Sequence, residues 1–389
     1  MKPSFGPDTS SSHNRAAPRG HSGLVPIHHP SPNRRRVPIP KSPEIPVLVQ
    51  PKSRRGHSGL AVRHLPKSAS AGVSPSRKAQ KPSSSYNRAR DCQTCTIVAM
   101  VNRILPIVLT FMLASTLFAQ SEKIRIIAFG AHPDDCDIRA AGTAALWVKM
   151  GYAVKFVSVT NGDAGHQTMH GAELARRRLA EAKESARRQG IDYDVLDNHD
   201  GELLPTLAVR EQIIREIRGW KADVVLSPRP NDYHPDHRYT GVLVQDAAYM
   251  VVVPNVTPDV PALRKNPAFF YYQDNFQRPN PFRPDVAVSL DDVIDQKINA
   301  LDSHVSQFYE WLPWVDGKLS DVPHDPAERK AWLKRTRAGS PNEAVRAALV
   351  KWYGPEKGNS IKYAEAFEIC EYGAHPDEAR LRQLFPMLP

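Results

Sequence analysis

Cysteine is scarce in this chain, with four among 389 residues, and aromatic residues reach only 8%. Cys92 and Cys95 form a CxxC, but no second pair stands near it to complete a four-ligand zinc motif. Cys136 and Cys370 are the other two. A domain of this length has no need of a disulfide framework. Internal repeats of fold-defining length are also lacking, and the length fits one large domain or two small ones. A basic surplus is missing where the chain reads as folded. The whole carries +11, yet residues 1–119 hold 18 Lys+Arg against 3 Asp+Glu, leaving 34 against 38 in the remainder. That remainder is mildly acidic and offers no electrostatic basis for a nucleic-acid partner.

Residues 1–99 are dense in Pro, Ser, Arg and His and show neither helical nor strand period. They read as a disordered basic extension, with too little apolar surface to offset chain entropy. Met100 opens MVNRILPIVLTFMLASTLFAQ (100–120). Arg103 supplies a positive start, 104–113 an apolar stretch, and Ala119 a small residue for cleavage, the layout of a secretory signal peptide. The stretch is short of the roughly 20 apolar residues of a spanning helix. The expectation is a signal peptide or N-terminal anchor over 100–119, with 1–99 untranslated if Met100 is the start. A domain over 120–389 would then be exported, touching membrane only if the segment is retained.

Within that domain, short apolar runs alternate with helical patterns. Strands are expected at 123–130, 153–160, 193–196 and 222–227, and helices at 139–150, 173–189 and 209–220. This alternation predicts an α/β fold, Rossmann-like, with a mostly parallel sheet and helices on both faces. Further strands are expected at 268–274 and 285–290 and a helix at 292–303. Beyond about 310 the chain looks irregular.

Two motifs carry chemistry. HPDD (132–135) follows the first strand and HPDH (234–237) follows ADVVLS. In an open parallel sheet, ligands bind beyond the carboxyl ends of strands, so both motifs can face one crevice. A lone HPD is as readily a turn; the pair after two strands is harder to read so. A catalytic zinc takes three protein ligands and keeps one position open. His132 and Asp135 can supply two, with Pro133 stiffening the turn between them. His237 or His234 can supply the third. Asp134 is then free to move a proton, and the spare histidine to stabilise an oxyanion or protonate a leaving amine.

AHPDD after a first strand, with HPDH about a hundred residues later, resembles the PIG-L/LmbE-like family of zinc-dependent N-acetylglucosaminyl deacetylases, over roughly 123–310. The resemblance implies zinc held by His132, Asp135 and His237, a general base at Asp134, and His234 acting on the oxyanion or leaving group. It implies a site role for Arg178 in ARRRLAEA, for Asp200 in NHDGEL and for His304 in HVSQ, all as substrate-binding residues. The expected reaction is hydrolysis of an N-acetyl amide on a small sugar or conjugate. An amidase or esterase on another conjugate, and a non-catalytic carbohydrate-binding module, are the alternatives. The chain departs from the family where AHPDDE is usual, since Cys136-Asp137 follows instead.

Without the resemblance, Arg178 and Glu181 read as a solvated i, i+3 pair and His304 as structural. His166 and His170 can rim the pocket. Trp311 and Trp314 read as packing before they read as a sugar platform. A second GAHPDE at 373–378 reads as a coincidental turn.

Overall fold

The computed structural model describes residues 123–389. The extension 1–99, the signal-like segment 100–119 and the Cys92/Cys95 pair lie outside the described residues.

Strand β1 (Arg125–Gly130) leads into α1 (Asp135–Lys149), then β2 (Ala153–Ser158), α2 (Gly171–Gln189), β3 (Asp192–Val195), α3 (Leu207–Trp220), β4 (Val224–Ser227) and α4 (Pro235–Met250). The local signals are legible. Gly190 closes α2 at φ 70°, Thr206 caps α3 through Val209 N, and Pro235 stands at the first position of α4, each the residue type its place favours. Strands β5 (Ala268–Tyr272) and β6 (Val286–Ser289) follow, then α5 (Ile294–Leu301), a π-helical segment Ser306–Trp311 and α6 (Leu312–Val315). Helices α7 (Pro326–Arg337), α8 (Glu343–Tyr353) and α9 (Pro355–Ser360), strand β7 (Ala364–Gly373) and α10 (Glu378–Leu384) complete the described chain. No helix among the described residues is long and apolar enough to cross a membrane.

The seven strands run in the order β3-β2-β1-β4-β5-β7-β6. The first five are parallel; β7 pairs antiparallel with both β5 and β6. Successive side chains on a strand face opposite ways, and this divides the core. Ile126, Ala128, Phe156, Leu226 and Phe270 pack under α1 and α2, with Ala140, Ala144 and Trp147. Ile127, Phe129, Val157, Val225 and Phe269 pack against Ile213 and Ile217 of α3 and Leu243 and Ala247 of α4. Each fully buried side chain of this size contributes roughly 1.5–3 kcal/mol by transfer from water. Helices thus cover both faces of a mostly parallel sheet. Strand order reverses at β1, which has β2 on one side and β4 on the other, and there the carboxyl ends open a crevice.

Three features differ from the sequence expectation. Helix α1 begins at Asp135, not 139, so half of HPDD is its cap and first turn. The stretch beyond 310 is helical rather than irregular. Strand β7 was not expected, because its glutamates look solvated; Glu365 is instead buried, accepting from Thr143 Oγ1 at 2.6 Å and Lys297 Nζ at 2.7 Å. The second GAHPDE is a turn and a cap: Gly373 ends β7, and Asp377 accepts from Arg380 N at 2.7 Å.

Candidate active site

The chain must turn sharply where β1 ends. A Cβ on Gly130 would lie 2.6 Å from Asp135 Cβ, so glycine is what allows the backbone to fold back so closely. Asp134 N and Asp135 N both donate to His132 O, at 2.8 and 3.2 Å. Asp135 Oδ2 then accepts from His132 N at 2.9 Å. Across the crevice, His234 caps α4: its Nδ1 accepts from Asp236 N at 3.2 Å. His237 follows in the first turn of α4.

These two turns bring three ligand atoms together. His132 Nδ1 lies 3.5 Å from Asp135 Oδ2, His237 Nε2 lies 3.3 Å from that same oxygen, and the two nitrogens are 3.3 Å apart. Zinc bonds to nitrogen and oxygen are about 2.0–2.1 Å long, for which a tetrahedron sets ligand separations of roughly 3.3–3.4 Å. The triangle therefore has the dimensions of one face of such a site. Two other groupings also exist within 4.8 Å, His132/His234/His237 and His132/Asp200/Asp236. The first exchanges Asp135 for His234, whose Nδ1 is already occupied by a backbone amide. The second would use His132 Nε2, which is buried without a hydrogen bond, 3.0 and 3.4 Å from the two carboxylates.

Those carboxylates orient both imidazoles. Asp200 Oδ1 and Asp236 Oδ2 stand 3.0 and 3.4 Å from His132 Nε2, and Asp232 Oδ1 stands 3.2 Å from His237 Nδ1. A carboxylate behind the far nitrogen fixes the tautomer and directs the near nitrogen's lone pair at a metal. Asp236 also accepts from Gly201 N at 2.6 Å, which locks the 200–203 loop in place. Burial opposes charge on His132, but Asp200, Asp135 and Asp236 outweigh it and hold its pKa well above the usual value. For Asp135 burial is likewise outweighed, by His237 and His132, and its pKa falls well below the carboxylate range. The triangle and its surroundings hold five carboxylates (Asp135 at its corner, with Asp134, Asp200, Asp232 and Asp236 around it) and one guanidinium. Such an excess of negative charge in a buried place suits a divalent cation, and the His-Asp-His set suits zinc.

Asp134, the cap residue of α1, is 5% exposed and takes Arg178 Nη2 on its Oδ1 at 3.1 Å. Its carboxylate is linked to the triangle through Arg178 and then Asp200, which faces His132 Nε2. His234 packs edge-on to His132 with ring centroids 4.7 Å apart. Burial and then the charges of His132 and His237 push its pKa down. Because Nδ1 accepts a backbone N–H, the neutral ring carries its proton on Nε2. Tyr233, half exposed, stands edge-on to both His234 and His237.

The three residues expected at the substrate all have partners within the protein. Arg178 is 2% exposed and meets Asp134 Oδ1, Gly162 O and Asp200 Oδ2. Asp200 has one oxygen on His132 and the other on Arg178, so it is a support of the metal triangle. His304 is fully buried with Nε2 on Asp137 at 3.0 Å, since the HVSQ turn packs behind α1 and α2. The Arg178–Glu181 pair does not form: Glu181 accepts from Ser306 N and Oγ at 2.9 and 2.6 Å. Cys136 points into the sheet, 3.3 Å from Ala128 O, away from the triangle. Asp232 and Asp236 were missed. They sit at alternate positions within NDYHPDH, interleaved with the histidines, and that interleaving is the signal that could have found them.

Residues 127–248 match the family model "PIG-L: GlcNAc-PI de-N-acetylase". The chain is 34% identical over 203 residues to the diacetylchitobiose deacetylase of Thermococcus kodakarensis, a match covering 49% of this chain and 73% of that protein. Among solved structures, the N,N'-diacetylchitobiose deacetylase of Pyrococcus horikoshii is 26% identical with a TM-score of 0.48, covering 64% of this chain and 84% of that one. The 4-carboxy-2-hydroxymuconate hydratase of Pseudomonas putida is 20% identical with a TM-score of 0.49, covering 65% and 99%. With such identity spanning most of the Thermococcus enzyme, this chain belongs to the PIG-L family of de-N-acetylases.

Proposed function

We propose that this protein hydrolyses the N-acetyl amide of a small sugar or sugar conjugate with the help of a zinc ion held by His132, Asp135 and His237. The observation that carries the reading is the triangle of His132 Nδ1, Asp135 Oδ2 and His237 Nε2, at 3.3–3.5 Å from one another. A zinc ion bound there would polarise the acyl oxygen and lower the pKa of a water toward about 7. Asp134, held by Arg178, takes the proton of the attacking water as its oxygen joins the acyl carbon. His234, neutral with its proton on Nε2, donates to the oxyanion that develops. The C–N bond breaks as Asp134 returns that proton to nitrogen, and acetate and a free amine result. Burial of Asp134, Arg178 and His132 limits water and keeps these charges effective.

Support for an acetylated sugar comes from the family and from the Thermococcus relative's own substrate. The test is release of free amine from N,N'-diacetylchitobiose and N-acetylglucosamine by zinc-loaded protein, with metal content measured in parallel. Wild-type protein should bind about one zinc and release amine; His237→Ala should lose the metal and the activity together. Full turnover by metal-free protein would sink the reading. Export is proposed from the pattern of 100–119, and N-terminal sequencing of protein recovered outside the cytoplasm would test it.

A further inference from the structure

Asp135 and His237, two corners of the triangle, also line a cavity of about 20 Å³. Neither Asp134 nor His234 lines it, so it lies on another side of the triangle from the groups that move protons. Sites for drug-sized ligands run to roughly 300–1,000 Å³. This one has room only for a group of a few atoms, and none for a sugar ring.

Two guanidiniums reach the cavity, Arg139 from the second turn of α1 and Arg229 from the segment after β4. Arg229 is committed within the fold. Its Nε and Nη2 each meet Asp274 at 2.7 Å, and it also donates to Asn280 O and Phe276 O. Arg139 differs. Its Nη1 donates to a neutral acceptor, Gln273 O, at 2.8 Å, and no carboxylate among the described residues forms an ion pair with it. Its charge therefore has no counter-ion in the fold. The wall as a whole sets Asp135, Asp232 and Asp274 against the two arginines. A divalent ion on the triangle would turn this from one negative charge to one positive charge, which a single monoanion neutralises. The planar fork of a guanidinium matches a carboxylate. Pro228 and Tyr272 add apolar wall against which a methyl group can rest.

We propose that this cavity is a carboxylate subsite in which Arg139 receives the acetate that the reaction produces. The proposal rests on the deacetylase reading for the source of the acetate, but not for the subsite itself. Acetate suits the space, carries the one charge that is wanted, and forms beside the Asp135–His237 edge. It can withdraw there without passing Asp134, which leaves that side of the site to the amine. A carboxylate borne by the substrate is the other source of the same chemistry.

The test titrates acetate and its neutral isostere acetamide calorimetrically into zinc-loaded full-length protein, as wild type, Arg139→Gln and Arg139→Lys. Zinc content and circular dichroism are checked on each. Arg139→Gln should weaken acetate by about tenfold or more, the loss of a charge-assisted hydrogen bond, and change acetamide little. Equal acetate affinity in wild type and Arg139→Gln, or equal losses for acetate and acetamide, would overturn the subsite. Should Arg139→Gln lose zinc or fold, Arg139→Lys decides. An ammonium lacks the bidentate fork, so it should bind acetate less tightly than wild type, and equal binding would overturn the subsite. The source is read from KM for N-acetylglucosamine and for an N-acetylated sugar acid. A ratio of the two that Arg139→Gln leaves in place supports acetate; a ratio that moves against the acid overturns acetate in favour of a substrate carboxylate. Acetate binding that depends on Arg139, in protein that releases amine from no substrate, keeps the subsite and removes the proposed reaction.

Discussion

Arg178 Nη2 donates to Asp134 Oδ1 at 3.1 Å, and both side chains are almost sealed from water. A buried carboxylate keeps its charge only when a partner compensates it. Arg178 reaches it from the second turn of α2, forty-four residues along the chain, and with Asp200 it forms a bridge from the proposed base to the proposed metal ligands. Arg178→Met should lower kcat at least tenfold, with little change in KM and with zinc content kept. It should also destabilise the fold by about 3–5 kcal/mol, the usual cost of stranding one member of a buried pair. Arg178→Lys should recover part of kcat. A variant whose loss appeared in KM alone would return Arg178 to a substrate-binding role.

Asp134 itself separates proton transfer from metal holding. Asp134→Ala should bind zinc as wild type does and lose turnover by about 10²–10⁴-fold, the range that general acid–base catalysis supplies. Metal analysis and amine release on one sample check both halves.

Much of this site could be read from the sequence because its two motifs are local. HPDD and HPDH each follow an apolar strand, and strand ends are where an open sheet places ligands. The sheet itself was legible as far as β6 for the same reason. What escaped is non-local. The partners of Arg178, Asp200 and His304 lie tens to more than a hundred residues away, and periodicity carries no record of such pairing. Strand β7 escaped because Glu365 reads as solvated, whereas Lys297 and Thr143 meet it inside the core. Asp232 escaped because a carboxylate two residues before a histidine looks like a turn.

Gly130 is where the chain's local geometry bears on the metal. Any Cβ there meets Asp135 Cβ at 2.6 Å, closer than real contacts allow, and Cys136 Sγ at 3.2 Å, tighter than most. Gly130→Ala must push α1 and its first residue away from β1. The Asp135 Oδ2 corner of the triangle would move with them. Zinc affinity should fall by at least tenfold, while circular dichroism stays close to wild type. Unchanged affinity would mean that the turn relaxes without moving Asp135.

His304 offers a pH dependence that is independent of turnover. Burial disfavours its charge, but Asp137 more than offsets this, and its pKa is raised above the ordinary 6.5. A raised pKa means that the folded state binds the proton more tightly than the unfolded chain does. The stabilisation is complete below about pH 6.5 and fades as pH climbs through the folded-state value. The difference in Tm between wild type and His304→Gln should therefore be largest in mildly acid solution and shrink toward alkaline pH. A difference that grew with pH would show that His304 is held neutral instead.

Asp232 lies behind His237, 3.2 Å from its Nδ1, as Asp200 and Asp236 lie behind His132. Carboxylates in this position typically contribute 10–100-fold to metal affinity. Asp232→Asn retains a group of the same shape but removes the charge that makes His237 a stronger donor. His132 is backed by two carboxylates, so loss of either one should be partly covered by the other. Asp232→Asn should therefore weaken zinc binding more than Asp236→Asn does, by a competition assay with a chelator. Equal losses would mean that the carboxylates act through the overall negative charge of the site rather than through the imidazole each one faces.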